Sequence, residues 1–132
     1  MASADIRFTL SGGESSGGLM RFEPGGVLQG SVQVIPQENI KCNAVRIRLQ
    51  WHTEGRGDRD EGIAAEIPMA QQGTLQANVP LTQQFNIILP KAPWSYAGHY
   101  INIIWELKVT VDIPMASDLN ATQAFILAPG RA

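Results

Sequence analysis

The sequence predicts an all-β protein folded as an antiparallel β-sandwich, and three observations carry this prediction. Apolar residues alternate with polar ones along most of the chain, which is the period of a strand with one buried face. The 13 glycines and 8 prolines among 132 residues indicate frequent chain reversals. No long window carries apolar residues at the spacing of three and four that a helix needs. About eight or nine short strands separated by turns are typical of a sandwich, and closure into a barrel is the alternative.

The longest predicted strand covers residues 99–113, where the odd positions are apolar and most even positions are polar. The apolar odd positions are Ile101, Ile103, Trp105, Leu107, Val109, Val111 and Ile113. Ile104 is an exception, because it is apolar on the parity expected to face solvent. Strands usually have about 3–10 residues, so the length of this one predicts a bend or bulge within it.

The remaining predicted strands show the same alternation over shorter lengths. Residues 44–54 place Val45, Ile47, Leu49 and Trp51 on the buried parity. Other strands are predicted near residues 6–10, 28–34, 84–89 and 123–127, with weaker candidates at 19–22, 63–67 and 75–79. Stretches rich in glycine, proline or small polar residues separate them at 11–18, 24–26, 55–62 and 90–93.

Length, charge and cysteine content exclude several classes of protein. The length fits one domain over residues 1–132. The formal net charge of −2 argues against a chain that coats nucleic acid or an anionic membrane, since both need a basic excess. No apolar run approaches the ~18 residues of a membrane span. With no signal-peptide pattern and one cysteine, Cys42, we expect a cytoplasmic location.

Few residues could carry catalysis or hold a metal. His52 and His99 lie on predicted strands, His52 on the polar parity, and neither has a second ligand at the spacing of a zinc site. Cys42 precedes a strand and is expected to be a buried structural thiol. The acidic loop 58–61 is predicted to be a solvated hairpin tip, and its binding of a cation such as Ca²⁺ is left open. We therefore expect no catalytic residue, no metal and no cofactor.

The three tryptophans differ in their expected environment. Trp51 and Trp105 fall on buried strand faces, where an indole is ordinary core. Trp94 lies in a loop, where its ring either closes one end of the sandwich or offers a stacking surface. With Tyr96 and His99, it is the candidate site for a small ligand or carbohydrate.

Three stretches together resemble the arrestin-like superfamily. The first, residues 22–34, places a proline–glycine turn before a strand that contains a second glycine. The second, residues 40–51, alternates aliphatic residues after an early lysine. The third, residues 85–114, is the most specific: it combines leucine–proline, a proline–x–serine–x–x–glycine turn, a long strand with an aromatic and a final aspartate–x–proline. The likeness covers about residues 22–127.

The resemblance implies an immunoglobulin-like β-sandwich of the arrestin-domain type and a role in binding, because proteins of this superfamily are adaptors and scaffolds. Two features depart from full arrestins. The chain has room for one such domain rather than two, and Arg7 stands alone where arrestins carry paired basic residues that read phosphates. We therefore do not expect this chain to bind phosphorylated receptors as arrestins do. A stand-alone, prokaryotic arrestin-like domain agrees better with the sequence than a full arrestin.

We therefore expect a non-catalytic module that binds a protein partner. Ile88 and Ile104, both on the solvent-facing parity, are the candidate apolar anchors. Unpaired strands at sheet edges offer a second binding surface, through which the chain could also associate with itself. The alternative is a sandwich that binds a small ligand or carbohydrate through Trp94, Tyr96 and His99.

Overall fold

The computed structural model describes residues 3–98 and 100–130, and these contain twelve strands and no helix. The strands are β1 (Ala4–Ser11), β2 (Glu14–Ser16), β3 (Leu19–Phe22), β4 (Val27–Pro36), β5 (Ile40–Cys42), β6 (Ala44–Gly55), β7 (Glu61–Ala70), β8 (Gly73–Leu75), β9 (Leu81–Ile88), β10 (Tyr96–Ala97), β11 (Ile101–Asp112) and β12 (Leu119–Leu127). The all-β prediction is confirmed. The described residues hold more strands than expected, because the short strands β2, β5 and β10 lack an alternation long enough to recognise.

The strands form two large sheets and a small ribbon. A three-stranded sheet has the order β1-β4-β9, and a seven-stranded sheet has the order β2-β3-β12-β11-β6-β7, with β10 also paired to β11. The ribbon joins β5 to β8. All pairs are antiparallel except β3 with β12, which run parallel. We call the first two the narrow sheet and the broad sheet.

The core lies between the narrow and broad sheets, and side chains of one parity from each sheet make up most of it, together with Ile40 and Cys42 of the ribbon. The narrow sheet contributes Leu28, Val32, Val34, Phe85 and Ile87 to it. The broad sheet contributes Val45, Ile47, Leu49, Trp105, Leu107, Val109, Val111, Phe125 and Leu127. Apolar burial between two facing sheets is the main stabilising contribution in such a fold. The inward parity predicted for the central strands is confirmed.

The long strand differs from its prediction in two respects. Its pairing with β6 runs from Ile101 to Asp112 without a register shift, so the expected bulge is absent there. The irregularities lie between β6 and β7 instead. β7 is an edge strand and contains Pro68, a residue that edges tolerate because one side of the strand needs no hydrogen bonds.

Three expectations about exposure differ from the structure, and two of them concern the outer face of the broad sheet. His52 is 7% exposed rather than solvent-facing, and Ile104 is partly buried. The two residues lie opposite each other on β6 and β11, in the centre of the sheet. Neighbouring side chains on the same face surround such central positions, so parity predicts the face but not its exposure. Trp51, expected in the core, is only partly buried.

Candidate functional site

The candidate site begins where β11 and β12 separate. The two strands pair from Val111 with Leu119 as far as Trp105 with Phe125. Beyond this point β12 pairs with β3 instead, where Leu127 lies opposite Phe22. The separation leaves a gap in the broad sheet that the segment before β11 fills.

The segment of residues 93–97 is held in this gap by three sets of hydrogen bonds. The indole N–H of the buried Trp105 donates to the carbonyl of Pro93 at 2.7 Å. Ser95 donates its backbone N–H to the carbonyl of Leu127 at 2.8 Å, and its hydroxyl accepts the N–H of Leu127 at 2.9 Å. Tyr96, in β10, then pairs with β11. The insertion is therefore fixed by the core and both flanking strands.

A groove of about 430 Å³ lies at this insertion. It is lined by Leu19, Ser95, Tyr96, Ala97, Asn102, Ile103, Ile104, Ala124, Phe125 and Ile126. None of these side chains is charged, and most are apolar. Its volume falls in the range of about 300–1,000 Å³ that is common for sites binding small molecules or side chains. We call it the insertion groove.

Four exposed apolar side chains either line the insertion groove or lie within two residues of its lining in the sequence. Trp94 is 52% exposed and Tyr96 60%, and Tyr100 and Ile101 are also exposed. The Trp94 ring has a fixed orientation, since its indole N–H donates to the carbonyl of Lys91 at 2.9 Å. The guanidinium of Arg56 lies 5.1 Å from the centre of the Tyr100 ring, a cation–π contact.

The five candidate residues from the sequence do not form one site. Ile104 and Tyr96 both line the insertion groove, and Trp94 lies two residues before Tyr96. Ile88 is 79% exposed but lies on β9 in the narrow sheet, opposite Val27. His99 lies outside the described residues.

Several residues of the insertion groove were not predicted from the sequence. Ala124, Phe125 and Ile126 come from β12, and Leu19 comes from β3. The alternation near the end of the chain predicts which face they occupy, but not that β12 leaves β11 for a parallel pairing with β3. Such a non-local pairing has no local signal in a sequence.

His52 has a polar environment that the sequence did not indicate. Its Nε2 lies 2.9 Å from a carboxylate oxygen of Glu54, and its Nδ1 lies 3.5 Å from one of Glu106. Glu106 also accepts a hydrogen bond of 2.9 Å from the side-chain amide of Gln50. The hydrogen bonds of the described residues connect no hydroxyl or thiol to His52, so this cluster lacks the nucleophile of a catalytic triad.

The other candidates for chemistry lie apart from the insertion groove. Cys42 is a buried free thiol, and burial raises its pKa, which disfavours the reactive thiolate. The loop at residues 58–61 is exposed, and the Arg59 guanidinium lies 3.6 Å from a carboxylate oxygen of Glu61. Within the part of the chain described, no group of three or more histidine, cysteine or acidic side chains is arranged to hold a metal ion.

A separate polar cluster joins the start of the broad sheet to the segment after β12. Arg21 bonds the carboxylates of Glu14 at 2.8 Å and Glu23 at 2.9 Å, and it donates to the carbonyl of Ala128. Glu23 also accepts the backbone N–H of Gly130. The hydrogen bond from Arg21, followed by that from Gly130, lowers the pKa of Glu23 below its usual value.

Comparison by sequence finds no relative, since no family model and no curated protein matches the chain. Comparison by structure shows the fold of the arrestin-like β-sandwich proteins. The matching structures include the crystal structure of Spo0M, a sporulation control protein from Bacillus subtilis, with a TM-score of 0.71 and 14% sequence identity. The match covers 98% of this chain and 51% of that one, so this chain spans about half the length of Spo0M. The match confirms the predicted arrestin-like sandwich fold.

Residues 3–98 and 100–130 contain no helix able to cross a membrane.

Proposed function

We propose that the chain is a non-catalytic protein-interaction module that binds an apolar side chain of a partner peptide in the insertion groove. The observation that carries this proposal is the groove itself: about 430 Å³ with no charged side chain in its lining. Burial of apolar surface is the main favourable contribution to such binding. A peptide is favoured over a broad protein surface because a groove of this volume accommodates one side chain rather than a wide interface.

The lining supports a peptide occupant through its polar groups as well. The Ser95 hydroxyl accepts a hydrogen bond from Leu127, which leaves its own proton available to a ligand carbonyl. The Asn102 side-chain oxygen accepts the N–H of Gly98 at 3.1 Å, and its amide N–H groups are likewise available. Because hydrogen bonds fix the inserted segment, little entropy is lost in ordering the groove on binding.

The absence of catalysis in this proposal is supported by the clusters described above. His52 faces two carboxylates rather than a nucleophile, and Cys42 is buried. The arrestin-like fold of Spo0M, a protein described as controlling sporulation, is consistent with a regulatory role. We further propose that residues 1–132 act as one domain and that the protein is cytoplasmic, which suits a free thiol.

A peptide library displayed on phage tests the proposal. We expect selection on the wild-type protein to enrich peptides with a large apolar residue. Ala124→Arg places a long charged side chain in the groove and should weaken the affinity for a selected synthetic peptide by about tenfold or more, measured by isothermal titration calorimetry. Tyr96→Ala removes one wall and should weaken it less.

Ile88→Ala is the matched control, because it removes an exposed apolar side chain from the other sheet. It should leave the affinity unchanged, and circular dichroism should show that all variants are folded. Failure to enrich any peptide would overturn the proposal. So would peptide binding that Ala124→Arg leaves intact or that Ile88→Ala weakens equally.

Binding of a small ligand or carbohydrate is the second candidate, and the exposed ring of Trp94 favours it. A stacking platform needs an accessible aromatic face held in one orientation, and the bond to Lys91 provides that. Titration with a set of soluble oligosaccharides should then shift the tryptophan fluorescence, and Trp94→Ala should abolish both the shift and the binding. Unchanged fluorescence across the set would exclude this candidate.

A further inference from the structure

β1 lies at one edge of the narrow sheet, and among the described residues its outer side is unpaired along its whole length. All eight residues, Ala4–Ser11, pair with β4 on one side, in a continuous register. No strand of the described residues pairs with the other side. At ~3.4 Å per residue the edge is about 27 Å long, and it contains no proline, lysine or bulge. It therefore lacks most of the devices that keep strand edges from pairing with another chain.

The backbone N–H and C=O groups that point away from β4, toward the open edge, belong to the even-numbered residues of β1. Gln37 donates its N–H to the carbonyl of Ser3, so odd-numbered residues of this strand face β4. Ala4, Ile6, Phe8 and Leu10 consequently direct their N–H and C=O groups outward, in the direction of an added strand. Their side chains point to the core and are partly buried.

The opposite edge of the narrow sheet is less suited to pairing. In β9 the side-chain amide of Gln83 donates to the carbonyl of Gln84 at 2.8 Å. Since Leu89 donates to Gly26 across this sheet, odd-numbered residues of β9 face β4, and the carbonyl of Gln84 lies on the outer edge. This carbonyl is therefore already satisfied within the chain.

We propose that a second copy of this chain adds to the β1 edge, antiparallel, with Ile6 of each copy opposite Ile6 of the other. In this register Asp5 of each copy lies opposite Arg7 of the other, at positions where cross-strand side chains are closest. The two narrow sheets then become one continuous six-stranded sheet.

Charge selects this register over its neighbours. Asp5 and Arg7 are the charged residues of β1, and both are exposed on the outer face. A shift of two residues places Arg7 opposite Arg7, and like charges directly opposite each other are destabilising. A further shift places both charges opposite neutral residues and gains no ion pair. A second copy is thus the partner whose charges match this edge.

The present bond between the two residues does not prevent this pairing. Arg7 lies 2.9 Å from Asp5 within one chain, but both side chains are largely exposed, and such exposed pairs contribute little to stability. The carboxylate can therefore accept a second guanidinium, or exchange partners, at small cost. This proposal is independent of the insertion groove, which lies on the other sheet, and stands if that groove binds nothing.

Sedimentation velocity on the full chain at low ionic strength, over a wide concentration range, tests the proposal. The wild-type protein should form a dimer as concentration rises. Asp5→Arg and Arg7→Asp each place like charges opposite each other twice, and each should weaken dimerisation by about tenfold or more. An equimolar mixture of the two variants restores opposite charges at both positions, so it should form a heterodimer at wild-type concentrations.

Gln84→Arg is the control, because it also introduces an arginine on the outer face but at the opposite edge of the narrow sheet, and it should dimerise like the wild type. Hydrogen exchange should show the amides of Ile6 and Phe8 becoming protected as the dimer forms. A wild-type chain that stays monomeric at every concentration overturns the proposal. So does a mixture that fails to associate although both variants are folded, or protection confined to other strands.

Discussion

The outer faces of the two sheets differ, although both follow the same alternation in the sequence. On the edge strands of the narrow sheet, outward residues such as Thr9, Gln84 and Asn86 are exposed. On the central strands of the broad sheet, outward residues such as His52 and Thr110 are buried. Position on the outer face therefore means exposure in one sheet but not in the other.

The difference follows from sheet width and side-chain length. The narrow sheet has one central strand, so most of its outward residues have no neighbour on one side. In the broad sheet, β6 and β11 have strands on both sides and carry long polar side chains that cover one another. Hydrogen bonds such as that from Thr110 to Asn120, 2.9 Å long, then satisfy some of the covered groups, whereas Nδ1 of His52 and Nε of Arg46 are buried without one among the described residues.

The difference also separates the two binding surfaces proposed for this protein. The broad sheet provides the insertion groove, because a wide sheet can lose one strand pairing and fill the gap with a loop. The narrow sheet provides an open edge, because a three-stranded sheet leaves β1 without a second neighbour. In these proposals, one surface binds through side-chain burial and the other through backbone hydrogen bonds.

The largest expected effect is that of an inward residue of the broad sheet. Trp105 is fully buried and holds Pro93 through its indole N–H. Trp105→Ala should cost about 3–5 kcal/mol of the free energy of unfolding, measured by chemical denaturation. Trp105→Phe keeps an aromatic ring but loses the hydrogen bond to Pro93, so it should lower the free energy of unfolding by less than Trp105→Ala. If it also weakens peptide binding, the hydrogen bond helps to position the insertion groove.

An intermediate effect is expected for an outward residue of the broad sheet. The Glu106 side chain is 14% exposed and accepts the hydrogen bond of Gln50. Alternation alone predicts a cost below about 0.5 kcal/mol for Glu106→Ala, as at an exposed site. From the structure we expect Glu106→Ala to cost about 1–3 kcal/mol instead, because the partly buried amide of Gln50 loses a charged acceptor.

Gln84→Ala on the narrow sheet is the matched substitution for Glu106→Ala, since Gln84 is also outward but exposed. It should change the free energy of unfolding by less than about 0.5 kcal/mol in the same denaturation experiment. Equal costs for the two substitutions would show that the outer faces of the two sheets do not differ in this way.

The smallest effect concerns the acid stability conferred by Glu23. Its pKa in the folded protein is lowered, mainly by the hydrogen bond from Arg21, from a usual value of 4.5. A lowered folded pKa gives stability that is present above the unfolded value and is lost as pH falls through the folded value. Thermal melting of Glu23→Gln should therefore show a shallower loss of stability below about pH 4.5 than the wild type.

Glu38→Gln is the control for that experiment, because Glu38 is exposed and the ion pairs of the described residues do not include it. Its melting profile should follow that of the wild type at acid pH. If both substitutions change the profile equally, the cluster around Arg21 does not contribute to acid stability.

Much of the fold was predictable because alternation is a local property. The inward residues of β4, β6, β9 and β11 follow directly from it, as do the turns at residues 24–26 and 90–93. The candidate site was predictable only in part. Tyr96 and Ile104 were identified separately, but the residues from β12 that complete the groove were not. These residues line the groove because β12 pairs first with β11 and then with β3. A periodic pattern of apolar residues does not encode such a change of partner.

The spacing of apolar residues along the chain was enough to predict the fold class, the parity of the central strands and the lack of long helices seen in the described residues. The folded structure was needed for three other features: the burial of His52, the placement of Ile88 and Ile104 on different sheets, and the groove at residues 93–97. These outcomes depend on which strands become neighbours. Strand order brings together residues that are distant in sequence, and their packing then sets the exposure of each side chain.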